Sequence, residues 1–284
     1  MCRLFGLTAG AARVRAAFWL LDAPDSLEVQ GRRNVDGSGI GFFDSGGAPV
    51  LDKQPEPAPG DEEFIHQARQ AESSAFVAHV RRASAGGRTV LNTHPFAMHG
   101  RIMAHNGGFG ELARLDAQLG RYGSLVLGDT DSERYFALIT QQVDAHGGDV
   151  GAGIAAATRW IAANLPVSAL NTVVAAPGEL WALRYPGQHA LHIIERPAGP
   201  GERPAAAGLR VRSATSSVHV PALQSAPSVV VASERLDGES GWRMLAEGEL
   251  VHVRPDLSVQ SAMVIAEPPA RQVPLPAQDP NIDA

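Results

Sequence analysis

Apolar positions follow two periodicities along the chain and divide it into a strand-rich beginning, a helical middle and a strand-rich end. Strands are predicted first at 2–8, 40–44, 49–53, 75–80 and 101–104. Helical spacing of apolar residues predicts helices over 11–22, 61–71, 111–119, 131–146 and 151–164. After Ser168 the period becomes two, which predicts strands at 173–176, 180–185, 191–194, 229–232 and 250–253. Strands and helices without regular β–α–β alternation favour an α+β fold with mainly antiparallel sheets covered by helices.

The same pattern predicts one large domain followed by a tail. No fixed-period repeat and no Pro/Ser-rich linker interrupts the chain before residue 267. We therefore expect residues 2–266 to form a single domain. Residues 267–284 contain five prolines and few apolar side chains, so we expect this tail to be disordered or to lie on the surface.

Composition excludes several classes of protein. The 284 residues carry 24 Lys and Arg against 30 Asp and Glu, a formal net charge of -6, which offers no basic excess for a nucleic-acid partner. No apolar run approaches the roughly 18 residues that span a bilayer, so no membrane partner is expected. The apolar stretch from Leu4 to Leu7 is shorter than the core of a signal peptide, about 7–15 residues, which favours a cytoplasmic location. One cysteine cannot close an intrachain disulfide.

That cysteine, Cys2, stands where a thiol can carry its own base. If Met1 is removed, as a small second residue allows, the thiol and a free α-amino group share one residue. An α-amine with a pKa of about 7.7–8.0 is suited to accept a proton from a thiol near neutral pH. The alternative is an inert cysteine in the core.

Three polar segments each allow a structural and a functional interpretation. Arg81, at the end of a predicted strand, either pairs with a structural acid or holds a carboxylate through two parallel hydrogen bonds. Asn106–Gly107 is first a hairpin-turn signal, although the amide and a backbone N–H could instead stabilise an oxyanion. Thr130 and Glu133 have the spacing of a helix capping box. A capping box does not require Asp131, whose carboxylate could pair with a substrate ammonium.

Two weaker signals are interpreted as negative. Gly37-Ser38-Gly39 lacks the third glycine of a dinucleotide fingerprint and leads into a strand rather than a helix. His94, His99 and His105 lie close in sequence, but no acidic partner completes a metal-binding pattern such as HExxH. We therefore expect neither a cofactor nor a metal.

Taken together, the functional interpretations describe one ligand. An arginine for a carboxylate, an acid for an ammonium, a nucleophile and an oxyanion site suit glutamine. At this point the sequence resembles the class-II glutamine amidotransferases of the N-terminal nucleophile hydrolase superfamily. The matching segments occur in the family's order: Met1–Gly6, Asp36–Gly39, His79–Ser84, Asn92–Pro95, His105–Gly107, Thr130–Glu133 and, nearer the end, Ser233–Arg235.

The resemblance implies a role for each matching residue. Cys2 would be the nucleophile that forms a γ-glutamyl thioester, with its own amine as the base. Arg81 would bind the α-carboxylate of glutamine, and Ser84 stands where the family often has threonine. Asn106–Gly107 would form the oxyanion hole, and Asp131 would hold the α-ammonium. The implied fold is a four-layer αββα sandwich with two mainly antiparallel sheets.

The resemblance leaves the substrate and the partner open. Arg82 stands where many synthase-linked relatives carry tryptophan, and no synthase-like segment follows the matching ones. An ammonia acceptor is therefore expected on a separate synthase subunit. Hydrolysis of glutamine is the leading hypothesis, and a γ-glutamyl amide hydrolase of the ergothioneine-pathway type is the alternative. A hypothesis from another class is a non-catalytic glutamine-binding sensor or partner subunit.

Overall fold

The structure is a computed structural model that describes residues 2–83, 86–197, 209–212, 217–220 and 226–274, with 209–212 and 217–220 described as backbone alone. Within these residues, two large sheets pack face to face between two helical layers. This arrangement is the predicted αββα sandwich.

The first sheet contains seven strands, and every pairing within it is antiparallel. Its central strand β1 (Arg3–Thr8) lies between β14 (Ser228–Ala232) and β6 (Ala75–Val80). The other strands, in chain order, are β3 (Ser38–Phe43), β4 (Pro49–Gln54), β6 (Ala75–Val80), β11 (His192–Arg196), β14 (Ser228–Ala232) and β15 (Arg243–Met244). Because β1 is central, the residue that precedes it lies at the middle of one sheet edge.

The second sheet is ordered β17-β16-β10-β9-β8-β7, and its strands are also antiparallel neighbours. They are β7 (Phe96–Met98), β8 (Arg101–Phe109), β9 (Pro166–Ala176), β10 (Glu179–Arg184), β16 (Glu249–Val253) and β17 (Val259–Met263). The short strand β18 (Arg271–Gln272) runs parallel to β9. Two small ribbons complete the strands: β2 (Val14–Arg15) with β5 (Glu72–Ser73), and β12 (Leu209–Arg212) with β13 (Ser217–Val220).

Three apolar clusters hold the layers together. The cluster between the sheets includes Leu4, Val77 and Val173, and the sheets approach so closely that a Cβ on Gly6 would lie 2.6 Å from Val173 Cγ1. On the outer face of the first sheet lie α1 (Leu27–Gly31), α2 (Glu62–Gln70) and a π-helix at Phe18–Asp22. On the outer face of the second sheet lie α3 (Leu112–Leu119), α4 (Asp131–Ala145) and α5 (Val150–Asn164). Short 3-10 helices occur at Val90–Asn92 and Gly120–Leu125.

The predicted helix over 11–22 is wrong. Val14 and Arg15 pair with β5, and only Phe18–Asp22 is helical. Phe18, Trp19 and Leu20 are all buried, so the apolar positions surround this turn and do not form one helical face.

The beginning of the predicted tail lies on the domain, along α5 and β9. The Ala270 N–H donates to the Ala162 carbonyl at 2.9 Å, and the Val273 N–H donates to the Val167 carbonyl at 2.8 Å. Residues 275–284 lie outside the described residues, and the domain boundary at 266 stays a prediction.

Candidate active site

The thiol of Cys2 is held against the end of the neighbouring strand. Its Sγ accepts a hydrogen bond from the Arg82 N–H and donates to the Arg82 carbonyl, both at 3.2 Å. The side chain is partly buried. Burial raises the pKa of the Cys2 thiol, and the Arg82 backbone N–H opposes that shift. The thiol is therefore protonated at neutral pH and needs a base to become a nucleophile.

Arg81 adjoins Cys2 because β6 pairs with β1 in a register that places Val80 opposite Arg3. Its backbone is fixed at both ends: the N–H donates to the Gly37 carbonyl at 2.7 Å, and its carbonyl accepts the Asp36 N–H at 3.0 Å. Its guanidinium donates to the Gly87 and Gly86 carbonyls at 3.2 and 3.4 Å. Burial lowers the pKa of Arg81, and interactions with Cys2, Asp36 and Asp131 oppose this shift. The group remains a cation close to the thiol and to Asp131.

Asn106 and Gly107 lie inside β8, and the hairpin-turn interpretation of this dipeptide is wrong. Asn106 pairs with Asn171 on β9, and its side-chain amide donates to the Cys2 carbonyl at 3.0 Å. At Gly107 the φ angle is +155°, and a Cβ there would lie 1.9 Å from the Ala169 carbonyl oxygen. Only glycine permits this close approach, which brings the Asn106 amide beside the nucleophile.

Asp131 opens α4 and contacts the same strand. Its Oδ1 accepts the Ser132 N–H at 2.8 Å, and its Oδ2 accepts the Phe109 N–H at 3.2 Å. The predicted capping box is half present. The Glu133 N–H donates to Thr130 Oγ1 at 3.2 Å, whereas the Glu133 carboxylate accepts the Gly128 N–H at 2.6 Å. The cap orients the first turn so that the Asp131 carboxylate faces β8.

The structure thus brings together the side chains predicted for the site, with one exception. Ser84 lies outside the described residues. Asn106 donates a hydrogen bond to the Cys2 carbonyl, and Arg81 lies near enough to Cys2 and Asp131 for both to affect its pKa. Their roles in binding and catalysis stay predictions.

Three supporting residues were not assigned a role from sequence. Asp36 anchors the chain after Arg81, because its Oδ2 accepts the Ala83 N–H at 2.9 Å and its Oδ1 lies 3.4 Å from Arg88 Nε. His105 and Ser132 bond to each other behind Asp131. These three residues lie within the matching sequence segments. Their hydrogen bonds join positions far apart in the chain, which a local sequence pattern does not predict.

Two further histidines are buried: His79 lies on β6, and His94 lies in the segment that precedes β7. The centroids of the His79 and His94 rings are 4.2 Å apart, with the ring planes inclined by 34°, and no described residue is a hydrogen-bond partner of their nitrogens. Burial, with the charges of Arg81 and His105, lowers the pKa of His79 to about 3 despite an opposing interaction with the His105 backbone. Within the described ranges, no three His, Cys, Asp or Glu side chains are placed to hold a metal ion.

No helix among the described residues is both long enough and apolar enough to cross a membrane.

A family model described as class-II glutamine amidotransferases matches residues 1–274. A curated relative, the γ-glutamyl-hercynylcysteine sulfoxide hydrolase of Mycobacterium tuberculosis, is 37% identical over 95 residues. That segment covers 30% of this chain and 40% of the relative, so the likeness spans less than half of that protein.

Solved structures show the same fold at low sequence identity. The glutamine phosphoribosylpyrophosphate amidotransferase of B. subtilis has a TM-score of 0.63 at 17% identity, over 94% of this chain and 50% of that one. A glutamine aminotransferase class-II domain protein from Silicibacter pomeroyi has a TM-score of 0.60 at 19% identity, over 92% of this chain and 98% of that one. This chain therefore corresponds to half of the B. subtilis protein and to nearly all of the Silicibacter protein. The family match over residues 1–274 shows that the chain belongs to the class-II glutamine amidotransferases, a family of enzymes.

Proposed function

We propose that this protein hydrolyses the side-chain amide of glutamine through a thioester on Cys2. The observation that carries the proposal is the meeting of Cys2 and Asn106: the Asn106 amide donates to the Cys2 carbonyl at 3.0 Å, beside the Arg81 cation. One amide N–H is used in this bond, and the second can donate to an oxyanion that develops next to Sγ.

The substrate's head group determines its orientation. Arg81 would bind the α-carboxylate, and Asp131 would bind the α-ammonium through the oxygen lone pairs that remain beside its two backbone hydrogen bonds. With both ends of the amino acid held, the γ-carbonyl is presented to Cys2.

Cys2 supplies both the nucleophile, its thiol, and the base, its α-amine. Sγ attacks the carbonyl carbon of the side-chain amide, and the thiol proton passes to the α-amine of Cys2, which requires that Met1 has been removed. The amine returns that proton to the departing nitrogen, the C–N bond breaks, and ammonia leaves. Water then attacks the thioester carbon with the amine again as base, the C–S bond breaks, and glutamate and the thiol are regenerated.

Covalent labelling tests this mechanism. The wild type and Cys2→Ala are incubated with a diazoketone analogue of glutamine, and the modified peptide is located by mass spectrometry. A single adduct on Cys2 with a free amine supports the proposal, with glutamine-dependent release of glutamate as the parallel assay. Labelling elsewhere, or a retained Met1 in the intact mass, would contradict it.

A γ-glutamyl amide hydrolase is the second candidate, favoured by the 37% identity to the M. tuberculosis hydrolase. Arg81 and Asp131 would bind the same γ-glutamyl head in both reactions, so the leaving group alone separates the two. Comparing kcat/KM for glutamine with kcat/KM for bulky γ-glutamyl amides decides between them. Slow turnover of glutamine with fast turnover of a bulky amide would reject glutamine as the substrate. An ammonia acceptor on a separate synthase subunit belongs to the first candidate only.

A further inference from the structure

His105 joins three elements behind the site. It is 1% exposed and lies on β8 directly before Asn106. Its Nδ1 lies 2.9 Å from Ser132 Oγ on α4, and its Nε2 lies 3.2 Å from the Ala169 carbonyl oxygen on β9. The rings of Tyr135 and Phe109 lie next to the imidazole, with centroids 5.5 and 6.4 Å from its centroid.

The two contacts decide the tautomer of the ring. A carbonyl oxygen only accepts, so Nε2 must carry the proton. Burial lowers the pKa of His105, opposed by the charge of Asp131 and the Ala169 carbonyl, so the ring is neutral near pH 7. In a neutral ring Nδ1 is then an acceptor, and the Ser132 hydroxyl donates its one proton to it at 2.9 Å rather than to Asp131 Oδ1, which lies 3.3 Å from the same hydroxyl.

This bond fixes Asp131 relative to the oxyanion strand. Ser132 follows Asp131 and donates its N–H to Asp131 Oδ1, while Phe109 on β8 donates to Oδ2. The α4 N-terminus is therefore tied to β8 at His105 and at Phe109, on either side of Asn106–Gly107. All groups in this set of hydrogen bonds are buried or partly buried, so water competes little for them.

We propose that His105 and Ser132 are a positioning pair that sets the spacing between the ammonium anchor and the oxyanion pair, and so selects a γ-amide over a β-amide. The inference rests on the proposed function. If Asp131 and Asn106–Gly107 hold the two ends of glutamine, a substrate with one methylene fewer, such as asparagine, falls short of one of them. Misplacement of a reacting carbon by about 1 Å costs on the order of 100-fold in rate.

The test is the ratio of kcat/KM for glutamine to kcat/KM for asparagine. The same ratio for γ-glutamyl p-nitroanilide and β-aspartyl p-nitroanilide covers the second candidate. Ser132→Ala removes the hydroxyl, and His105→Gln keeps a polar group toward Ala169 but removes the acceptor at Nδ1. Both are expected to lower the γ/β ratio at least fivefold, mainly through kcat for the γ-amide. Ser132→Thr keeps the hydroxyl that donates to Nδ1, and His105→Asn keeps a polar group near the position of Nδ1. Both variants are expected to retain most of the γ/β ratio.

A matched control separates positioning from stability. Thr140 is also a buried hydroxyl residue on α4, and among the described residues the hydrogen-bond partner of its Oγ1 is Met98 Sδ at 4.0 Å. Thr140→Val is expected to leave the ratio unchanged, with thermal melting reporting the fold of every variant. Equal losses for γ- and β-amides in Ser132→Ala and His105→Gln, with the ratio kept, would overturn the positioning role alone. A wild type that hydrolyses none of the four compounds would overturn the proposed function together with this inference.

Discussion

Replacing Arg81 with alanine is expected to weaken glutamine binding much more than it slows the chemical step. Two guanidinium nitrogens, Nη1 and Nη2, already donate to backbone carbonyls at 3.2 and 3.4 Å, which shows that both point along the loop at Gly86–Gly87. A carboxylate would accept from the same fork with shorter, charge-assisted bonds. Because the carboxylate is distant from the reacting bond, this contact is equal in the ground and transition states.

The magnitude follows from the burial and the charge of the pair. Losing a bidentate, charge-assisted contact at a buried arginine costs about 2–4 kcal/mol. At 1.4 kcal/mol per tenfold, KM should rise about 30- to 700-fold while kcat changes little. Arg81→Lys keeps the charge without the planar fork, so its KM should lie between those of the wild type and Arg81→Ala.

The assay is steady-state release of glutamate at several glutamine concentrations. Arg159→Ala is the matched control, since Arg159 is an exposed arginine on α5 in the outer helical layer. Its KM should equal that of the wild type. An unchanged KM in Arg81→Ala would refute the carboxylate role of Arg81, and a fall in kcat alone would place its effect in the transition state.

Three other perturbations have defined outcomes. Cys2→Ala should abolish glutamate release and covalent labelling while leaving the melting temperature near that of the wild type, and residual turnover would contradict the thioester. Gly107→Ala should lower the free energy of unfolding, measured by urea denaturation, by about 3 kcal/mol, because its Cβ would lie 1.9 Å from the Ala169 carbonyl oxygen. Gly123→Ala is the control, because its Cβ would have open space around it, and it should leave the free energy of unfolding nearly unchanged. His79 has a pKa of about 3 in the folded state, below the ordinary value of 6.5. Between these two values the unfolded chain binds a proton that the folded chain does not. The free energy of unfolding is therefore highest above pH 6.5 and decreases as the pH falls toward 3. Between about pH 5.5 and 4, stability of the wild type should fall more steeply than that of His79→Phe, by about 1.4 kcal/mol per pH unit, and parallel curves would refute the shift.

Local sequence patterns predicted most of the elements that frame the site. The period of two after Ser168 gave strands that the structure places within a residue or two of β10, β11, β14 and β16. The helices at 61–71, 131–146 and 151–164 agree with α2, α4 and α5, since each has an N-cap residue and one apolar face. The four-layer arrangement came from the family resemblance, because periodicity alone does not choose how two sheets stack.

Motif order selected the candidate residues of the site, whereas their contacts depend on chain segments far apart in sequence. Asn106 reaches Cys2 across 104 positions, and Cys2 contacts Arg82 across 80. Asn106–Gly107 carries a hairpin signal, but β9 supplies a carbonyl against Gly107 that only a continuous strand without a side chain can approach. Similarly, Asp36 and the His105–Ser132 pair act through bonds to segments that no local pattern connects to them. The sequence by itself therefore determined which chemical groups are present and on which elements, since periodicity and caps are local. Only the tertiary structure decided which groups meet, because sheet register and close backbone approach depend on packing between distant strands.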